Sequence, residues 1–576
     1  MTPSGDPGQD PGRAPRSAAE LAWRYAPLLA CGLVLVWHSL QYDFVTDDAY
    51  ISFVYSRNLA EHGALVFNPG DPVEGYTNFS WTLLLGLLMK LGLAPEVMSR
   101  VLGTGFGLAT LWVSFRLIEY VLGRGSRWAA LAPLLLALSA GFGCWSSGGL
   151  ETQMFTFLIT AALFEYARGD GDQRALGRMA IFLALAAMTR PEGLLVAGVL
   201  GGHRLGLNLL RDRRWRPTNY ELMAVGTFLL IWGPYFAWRW WYYGHPFPNT
   251  YYVKAAGAAH GPDFAGKMIA NGLHYVWQWA RQTGAVWASP LIVAGLALHR
   301  PRSRGFAVGT AALLLGAVYL AYAVKVGGDF MGLHRFIMPV FVLGALGVTL
   351  GLAVLVSRLP AGLARSSAGI GAAVVLVGGF GFFQLRLTVE SLRWGNFEND
   401  QGIDTPAFLA AYANDRALIG KHMKPCFRAD DFSIFGGVGA KPYYAEARGI
   451  DVFGLVSWDI AHCQPRSRAR AGHTKWGENA LLAVQPRTDG HRCPPPRPSG
   501  GYDWSQVQGG PPDFWFSCYA LHRDPTRPGA MCSPTPARDY QQVTLHIPGL
   551  KERGEYYTFW IHRERRPTFQ CPGLIE

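Results

Sequence analysis

The chain has 576 residues, of which 50% are hydrophobic and only 16% are charged. An average soluble domain carries roughly 25% charged residues, so this composition excludes an ordinary soluble protein. The net charge of +12 would suit an anionic partner. However, the arginines cluster in short loops between apolar segments, as the positive-inside rule of membrane proteins predicts. Nucleic acid is therefore not an expected partner.

Apolar runs long enough to cross a bilayer recur between Tyr25 and Thr388, since about 17–25 apolar residues span the hydrocarbon core as a helix. They predict an all-α polytopic membrane domain over residues 25–388. A polar, Pro/Gly-rich stretch precedes it over residues 1–24 and is predicted to be a disordered cytoplasmic extension. Residues 389–576 contain no such run and are numerous enough to bury a core of their own. We expect a separate, mixed α/β globular domain there.

The cysteines indicate the compartment of this last domain. Six of the eight cysteines lie in it, and an even set confined to one domain predicts disulfides and an oxidising, extracytoplasmic location. The pairing cannot be read from the sequence. The six are Cys426, Cys463, Cys493, Cys518, Cys532 and Cys571.

The basic loops predict how the chain threads the membrane. Arginines before the first apolar run, residues 25–42, place the N-terminus in the cytoplasm and the loop 43–98 outside. Within that loop the apolar stretch 79–93 is short for a span and is interrupted by Lys90, so we expect an interfacial or re-entrant helix. Both flanks of the segment around Pro191 are basic, which predicts a helical hairpin that turns at this proline.

Together these features predict eleven crossings with the C-terminal domain outside. An alternative treats 79–93 as a span and 178–200 as a single helix, and it also leaves that domain outside. It would export the basic loops at 124–127 and 168–178, so the charge asymmetry disfavours it. Besides the first span and the hairpin, the predicted spans are 101–122, 128–144, 153–166, 220–241, 284–298, 305–325, 335–357 and 368–388.

Asp47 and Asp48 directly follow the first predicted span, at the rim of the bilayer. Unpaired charge is costly there and is usually kept for function. Transfer of a sugar to a hydroxyl needs a general base or a carboxylate that stabilises positive charge at the sugar. A second acid can orient the first or hold a divalent cation. A structural alternative is that Thr46 caps a helix running to Ala60 and the two acids stabilise its dipole.

Other acids, bases and aromatics fall in the remaining outer loops and are predicted to bind the substrate or a lipid-linked donor. Arg190 suits a phosphate group but could instead pair with Glu192, and Asp329 follows two glycines that favour a tight turn. Glu151 could equally cap the fourth span, and Tyr251 could belong to an aromatic belt. The full set is Arg57, Glu74, Glu151, Arg190, Glu192, Tyr251, Lys254, Asp329, His334 and Arg335.

Several motifs occur together in a fixed order: Asp47-Asp48-Ala49-Tyr50-Ile51, Ser147-Gly148-Gly149-Leu150-Glu151, Thr189-Arg190-Pro191-Glu192, Gly327-Gly328-Asp329 and Ile450-Asp451. This ordered set resembles the terminal arabinofuranosyltransferases of the actinobacterial cell wall, members of the GT-C superfamily of membrane glycosyltransferases. The resemblance implies a GT-C fold, a polyprenyl-phosphate-linked arabinofuranose donor and a polysaccharide acceptor outside the membrane.

The same resemblance implies roles for individual residues. Asp47 and Asp48 would be the catalytic acids, with Glu151 and Asp329 as further site residues. Arg190 and Lys254 would bind the donor phosphate. A divalent cation (Mg, Mn or Ca) is an open expectation, with Asp48 as its candidate ligand, and the bacterial plasma membrane is the expected location.

Two alternatives to this function remain. One is a GT-C transferase that uses another lipid-linked sugar, such as mannose or an aminoarabinose, on a glycan, lipid or protein. The other is a flippase or transporter for lipid-linked sugars, which predicts internal repeats and charged residues along a path to the inner face. The sequence shows neither feature.

Overall fold

The computed structural model describes residues 18–254, 262–360, 362–397, 400–458, 461, 512–516, 540–551 and 554–575. The helices of the first 391 residues are α1 (Ala18–Leu40), α2 (Asp47–His62), α3 (Phe79–Lys90), α4 (Pro95–Leu122), α5 (Leu131–Leu138), α6 (Ala140–Cys144), α7 (Thr152–Arg168), α8 (Arg174–Thr189), α9 (Glu192–Asp212), α10 (Asn219–Tyr243), α11 (Asn249–Lys254), α12 (Pro262–Gln282), α13 (Ala285–Leu298), α14 (Arg304–Lys325), α15 (Met338–Ser357) and α16 (Leu363–Ser391).

Apolar helices support a multi-pass membrane protein, while the bounds of the predicted membrane domain stay a prediction. Among the described residues, five helices are long and apolar enough to cross a bilayer by length and composition: α4, α9, α14, α15 with the turn before it, and α16. The helix α3 is shorter, as expected for the stretch 79–93. The count of eleven crossings stays a prediction. Helix α1 begins at Ala18, upstream of the predicted domain start, and the first 17 residues of the predicted extension lie outside the described part.

The predicted hairpin at Pro191 is confirmed by contacts at both of its ends. Arg190 is extended (φ −153°, ψ 141°), because the proline that follows disfavours helical geometry in the residue before it. At the turn of the hairpin, the Arg190 guanidinium pairs with Glu151, which directly precedes α7. At the other end Arg204 and Arg211 of α9 pair with Asp170, just before α8 begins. The two helices therefore run antiparallel.

Two parts of the membrane domain differ from the predicted pattern. The predicted span 128–144 is broken at Ser139, whose hydroxyl accepts a hydrogen bond from the Phe142 N–H and starts the short helix α6. Residues 262–282 form α12, which packs on α14 and was not among the predicted spans. Its sequence interleaves polar and apolar residues, so it has no continuous apolar run that would mark a span.

The described residues after 391 form a mixed sheet and two α-helices, which agrees with the predicted mixture of helix and strand; the boundaries of a separate domain stay a prediction. Strands β3 and β4 are parallel, as are β3 and β5, and the rest of the six-stranded sheet is antiparallel in the order β4-β3-β5-β7-β6-β8. Cys426 and Cys571 form a disulfide, which confirms the disulfide prediction for one pair; the other four cysteines lie outside the described residues. The elements are β1 (Asn396–Phe397), β2 (Asp400–Asp404), α17 (Pro406–Met423), β3 (Phe432–Phe435), α18 (Ala440–Ala445), β4 (Arg448–Asp451), β5 (Phe514–Phe516), β6 (Tyr540–His546), β7 (Tyr556–His562) and β8 (Leu574–Ile575).

Helix α2 joins the two domains. One hydrophobic cluster runs from the membrane helices through α2 into the C-terminal domain. Tyr50 packs against Tyr443 of α18 with ring centroids 5.3 Å apart. The Arg57 guanidinium lies 4.9 Å from the centroid of the same ring. The N-terminal end of α2 is thereby held between the domains, and that end carries the aspartate pair.

Candidate active site

The start of α2 is fixed by backbone contacts and not by a capping side chain. Thr46 is extended at the N-cap but its hydroxyl makes no capping hydrogen bond, so the capping part of the structural alternative is not supported. Asp47 and Asp48 do lie in the first turn of α2, where that alternative places them. Instead the Thr46 N–H donates to the Gly148 carbonyl at 3.2 Å. Gly149 has φ +86°, and a Cβ at this position would lie 2.7 Å from Val45 and 3.1 Å from Ala49. Glycine is therefore required where this loop crosses α2.

Asp47 points at the C-terminal domain. Its carboxylate accepts a hydrogen bond from the Ala440 N–H at 2.8 Å. Gly439 allows this approach, because a Cβ there would lie 2.2 Å from the Asp47 carbonyl oxygen. Burial raises the pKa of Asp47 to about 6; the Ala440 N–H opposes the shift, and the charge of Asp48 adds to it. Asp47 thus links the aspartate pair to the C-terminal domain.

Asp48 has a different environment. It is partly exposed, and across the described part of the chain no hydrogen bond or ion pair engages its carboxylate. It lies close enough to Asp47, Arg335 and Asp451 to act on each of them electrostatically. Because the Asp48 carboxylate lies near the Arg335 cation without forming an ion pair with it, this carboxylate is available to a substrate.

Arg190 holds two carboxylates below the aspartate pair. Its guanidinium contacts Glu151 at 2.6 Å and Glu192 at 3.0 Å, and the Asn78 amide donates to the second oxygen of Glu151 at 2.9 Å. Burial alone would raise the pKa of Glu151, but the charges of Arg190 and Arg335 and the Asn78 hydrogen bond hold it below its ordinary value. Glu151 is therefore ionised at neutral pH.

This cluster leaves polar atoms unsatisfied. Within the described residues, three buried atoms here have no hydrogen-bond partner: Arg190 Nε, Glu192 Oε2 and the hydroxyl of Tyr319 on α14. The charges of Arg190 and Glu192 both act on Tyr319, so the three residues are neighbours. Buried polar groups are nearly always paired, and several unpaired ones in one place indicate that a polar ligand completes the site.

Asp329, His334 and Arg335 occupy a strained turn beside the same cluster. Arg335 Nε donates to Asp329 at 3.2 Å, and the Arg335 charge acts on Asp48 and Glu151. Gly327, Gly328, Leu333 and His334 all have positive φ, and backbone strain of this kind is common at functional sites. His334 Nε2 lies 2.7 Å from Gln282 Oε1. Burial lowers the pKa of His334 to about 3, so this imidazole is neutral.

Three of the predicted donor-binding residues have other contacts, and a fourth, Lys254, lies at the end of a short helix. Glu74 is buried against Arg239 of α10, with Nε 3.0 and 3.1 Å from its two oxygens. Arg57 donates to the Tyr443 carbonyl at 2.8 Å. Tyr251 stacks on Phe247 at 4.6 Å, and Lys254 ends α11, partly exposed. Their roles in donor binding stay predictions.

The structure adds residues that were not among the predicted site residues. Asp451 is buried at the end of β4, where it accepts hydrogen bonds from the N–H groups of Phe453 at 2.9 Å and Leu455 at 2.6 Å. Burial raises its pKa to about 6. Lys441 is also buried, near Asp47, and burial lowers its pKa well below the ordinary value. The motif Ile450-Asp451 at the end of an apolar segment was the available signal for Asp451, while nothing in the sequence distinguished Lys441.

The residues around Asp48 do not form a metal site in this structure. Across the described ranges, no group of three or more His, Cys, Asp or Glu side chains could hold a metal ion. Asp47 and Asp451 are acids on which the Asp48 charge acts, and both are bound by backbone N–H groups. The divalent cation at Asp48 stays a prediction, and no chemical step is assigned to it.

Comparisons with known proteins agree with the predicted resemblance. No family model matches the chain. The chain is 26% identical over 358 residues to a terminal β-(1→2)-arabinofuranosyltransferase of Mycobacterium tuberculosis, covering 54% of this chain and 53% of that protein. It is 25% identical over 379 residues to the protein of the same name from Corynebacterium glutamicum, covering 57% and 52%. The chain thus spans about half the length of these curated relatives.

A solved structure shows the fold. The crystal structure of ArnT from Cupriavidus metallidurans bound to undecaprenyl phosphate matches with a TM-score of 0.50 and 14% identity, over 76% of this chain and 86% of that one. ArnT is a GT-C glycosyltransferase. The likeness shows that this chain shares the fold of that protein. The curated relatives confirm the predicted resemblance and support a glycosyltransferase, while the number of crossings stays a prediction.

Proposed function

We propose that this chain is a membrane glycosyltransferase that transfers D-arabinofuranose from a polyprenyl-phosphate donor to a cell-envelope polysaccharide. The observation that carries the proposal is the Asp48 carboxylate, which no described residue engages, beside the cation Arg335. The Arg335 charge also acts on Glu151, the partner of Arg190. The names of the two curated relatives support the sugar. The lipid in the ArnT crystal structure supports a polyprenyl-phosphate donor.

In the proposed reaction Asp48 acts as general base. It takes the proton of the acceptor hydroxyl while that oxygen bonds to the anomeric carbon of the donor sugar. The bond from the anomeric carbon to the phosphate oxygen breaks, and its electron pair leaves with the lipid phosphate. Asp47, held by the Ala440 N–H, keeps the pair oriented and is expected to be needed for transfer.

The leaving phosphate needs cations or N–H donors nearby. Arg335 and the unpaired Nε–H of Arg190 are the donors that this site offers. Glu151, Glu192 and Asp329 hold these two arginines in place. We therefore assign these three acids to positioning, and the unpaired Tyr319 hydroxyl to contact with the donor.

We also propose the membrane orientation that the charge pattern predicts, with the N-terminus in the cytoplasm and residues 389–576 outside. The Cys426–Cys571 disulfide supports an oxidising compartment for the C-terminal domain. Labelling intact cells with a membrane-impermeant reagent tests this orientation. A single cysteine introduced at Glu446, on the surface of the C-terminal domain, should react. One introduced at Arg302 should react only after the cells are opened.

Transfer is tested with membranes that contain the full chain, radiolabelled polyprenyl-phosphoryl sugars and an oligosaccharide acceptor. We expect label to move from polyprenyl-phosphoryl arabinofuranose, and both Asp48→Asn and Asp47→Asn to abolish most of this transfer. Parallel donors that carry mannose or aminoarabinose decide between the alternative sugars. Movement of labelled donor across vesicles without transfer would favour the flippase alternative. Unchanged transfer in both variants would contradict the catalytic role of the pair.

A further inference from the structure

A second charged cavity lies far from the aspartate pair. It has a volume of about 600 Å³ and is lined by five arginines and one glutamate. Ligand-binding clefts typically measure roughly 300–1,000 Å³, so the space can hold a small anionic group. The charged lining residues are Arg24, Arg116, Glu119, Arg124, Arg168 and Arg304.

The cavity is at the opposite end of the helix bundle from the candidate active site. Its arginines lie near the start of α1, the end of α4 and α7, and the start of α14. Asp47, Glu151 and Asp329 follow or precede the other ends of α1, α7 and α14. At 1.5 Å per residue, the 22 residues of α14 correspond to about 33 Å. A donor bound at the aspartate pair cannot place its phosphate here.

The arginines outnumber their partners. Glu119 accepts a hydrogen bond from Arg24 Nε at 2.7 Å and lies 3.7 Å from Arg116. Arg168 is paired with acids outside the cavity. In the described ranges Arg124 and Arg304 have no ion pair, and the Arg304 guanidinium rests 4.5 Å from the centroid of the Tyr120 ring. The cavity therefore has an excess of positive charge.

One hydrogen-bond donor in this cavity is buried and has no acceptor among the described residues. The Arg24 side chain is only 8% exposed, yet its Nη1 has no hydrogen-bond partner among the described residues. The positive-inside rule explains basic residues in loops. It does not require a cavity between helix ends or a buried guanidinium N–H that lacks an acceptor. These two features point to a bound anion.

Exposed aromatic residues at the rim indicate a membrane interface. Trp23 is 83% exposed and Trp112 is 42% exposed, and the Arg116 guanidinium lies 5.6 Å from the centroid of the Trp112 ring. Tyr25 packs on Trp112 at 5.5 Å. Tryptophan and tyrosine are enriched at the headgroup level of bilayers. The cavity therefore lies at the depth of the lipid phosphates, and an anion bound in it would lie at that depth too.

We propose that this cavity binds the phosphate headgroup of an anionic phospholipid in the leaflet opposite the active site. Basic pockets between membrane helices recognise such headgroups. The site uses none of the residues assigned to sugar transfer, so the proposals of lipid binding and of sugar transfer can be tested independently.

The test measures lipid retained by the purified full chain, with native mass spectrometry during titration with phosphatidylglycerol or phosphatidylcholine. The wild type should prefer phosphatidylglycerol. Arg124→Ala/Arg304→Ala should weaken phosphatidylglycerol binding by about tenfold or more, and Arg124→Lys/Arg304→Lys should restore most of it. Both side chains are exposed, so folding should be unaffected; size-exclusion profiles check this.

A matched control separates the cavity from the general charge of this face. Arg300 and Arg302 are exposed in the loop before α14 and do not line the cavity, so Arg300→Ala/Arg302→Ala should change binding by less than about twofold. An equal loss in both double variants, or no preference of the wild type for phosphatidylglycerol, would overturn the proposal. If inorganic phosphate alone displaced the lipid at similar concentration, the ligand would be free phosphate and the lipid assignment would be wrong.

Discussion

The buried pair Glu74–Arg239 supports a quantitative prediction, because its structural role conflicts with the predicted role of Glu74 in donor binding. Each residue is only 5% exposed, and Arg239 also donates to the Pro246 carbonyl at 2.6 Å. Removal of one partner from a buried ion pair typically costs about 3–5 kcal/mol, because the remaining charge stays buried without compensation. Glu74→Gln keeps the shape of the side chain and removes only its charge.

We therefore expect Glu74→Gln and Arg239→Met each to lower the apparent melting midpoint of the purified chain by roughly 5–10 °C. In the double variant no charge is left unpaired, so its loss should be clearly smaller than the sum of the two single losses. Circular dichroism or intrinsic fluorescence in detergent measures the midpoints. Glu61→Gln is the control, since that carboxylate is 57% exposed near the end of α2 and its loss should cost less than about 0.5 kcal/mol.

The structural role of Glu74 would be contradicted if Glu74→Gln left the melting midpoint unchanged while it raised the KM for the donor. That outcome would show that Glu74 binds the donor, as its position in the outer loop predicts. A lower midpoint with an unchanged KM would show that Glu74 anchors the loop to α10.

Four further predictions concern the aspartate pair and the C-terminal residues that pack on it. Asp48→Asn should lower transfer by about 10²–10⁴-fold, as expected for loss of a general base. Asp47 has a pKa of about 6, so it is ionised above that pH and protonated below; transfer should fall as the pH drops through about 6. This fall should be smaller in the residual activity of Asp47→Asn, in which Asp451, with a pKa also about 6, still titrates. Gly439→Ala should lower transfer by at least about tenfold and expose the C-terminal domain to proteolysis, because its Cβ would lie 2.2 Å from the Asp47 carbonyl oxygen. Cys426→Ala/Cys571→Ala should destabilise the C-terminal domain by about 2–5 kcal/mol, measured by thermal unfolding, because the disulfide closes a loop with a sequence separation of 145.

Controls decide whether each of these effects is specific. Gly206→Ala adds a methyl group where no atom lies within 4 Å and should leave transfer and proteolysis unchanged. If Gly206→Ala and Gly439→Ala lowered transfer to a similar extent, the close contact between Gly439 and Asp47 would not be the cause. A pH profile of Asp47→Asn that matches the wild type would exclude Asp47 as the titrating group. Peptide mapping without reductant should recover Cys426 joined to Cys571, and a different pairing would contradict the disulfide.

The sequence by itself determined the features that depend on local pattern. The apolar runs predicted membrane helices, and the basic flanks together with the proline predicted the hairpin turn at Pro191. Each of these patterns lies within one continuous segment of the chain. The ordered motifs also indicated the resemblance to the terminal arabinofuranosyltransferases, which the curated relatives confirm, while the catalytic role of the acids stays a prediction. The break at Ser139 and the amphipathic helix α12 were not predicted, since neither has the continuous apolar run that marks a span.

Only the tertiary structure decided how the site residues divide their roles. Asp47 and Asp48 are equivalent in the sequence, yet Asp47 is bound by an N–H group 393 positions away along the chain while no described residue engages Asp48. Glu74 and Glu151 likewise read as similar outer-loop acids, but their cations are Arg239 and Arg190 on different helices. Which arginine reaches which carboxylate depends on how the helices pack in space, and spacing along the chain does not encode that packing.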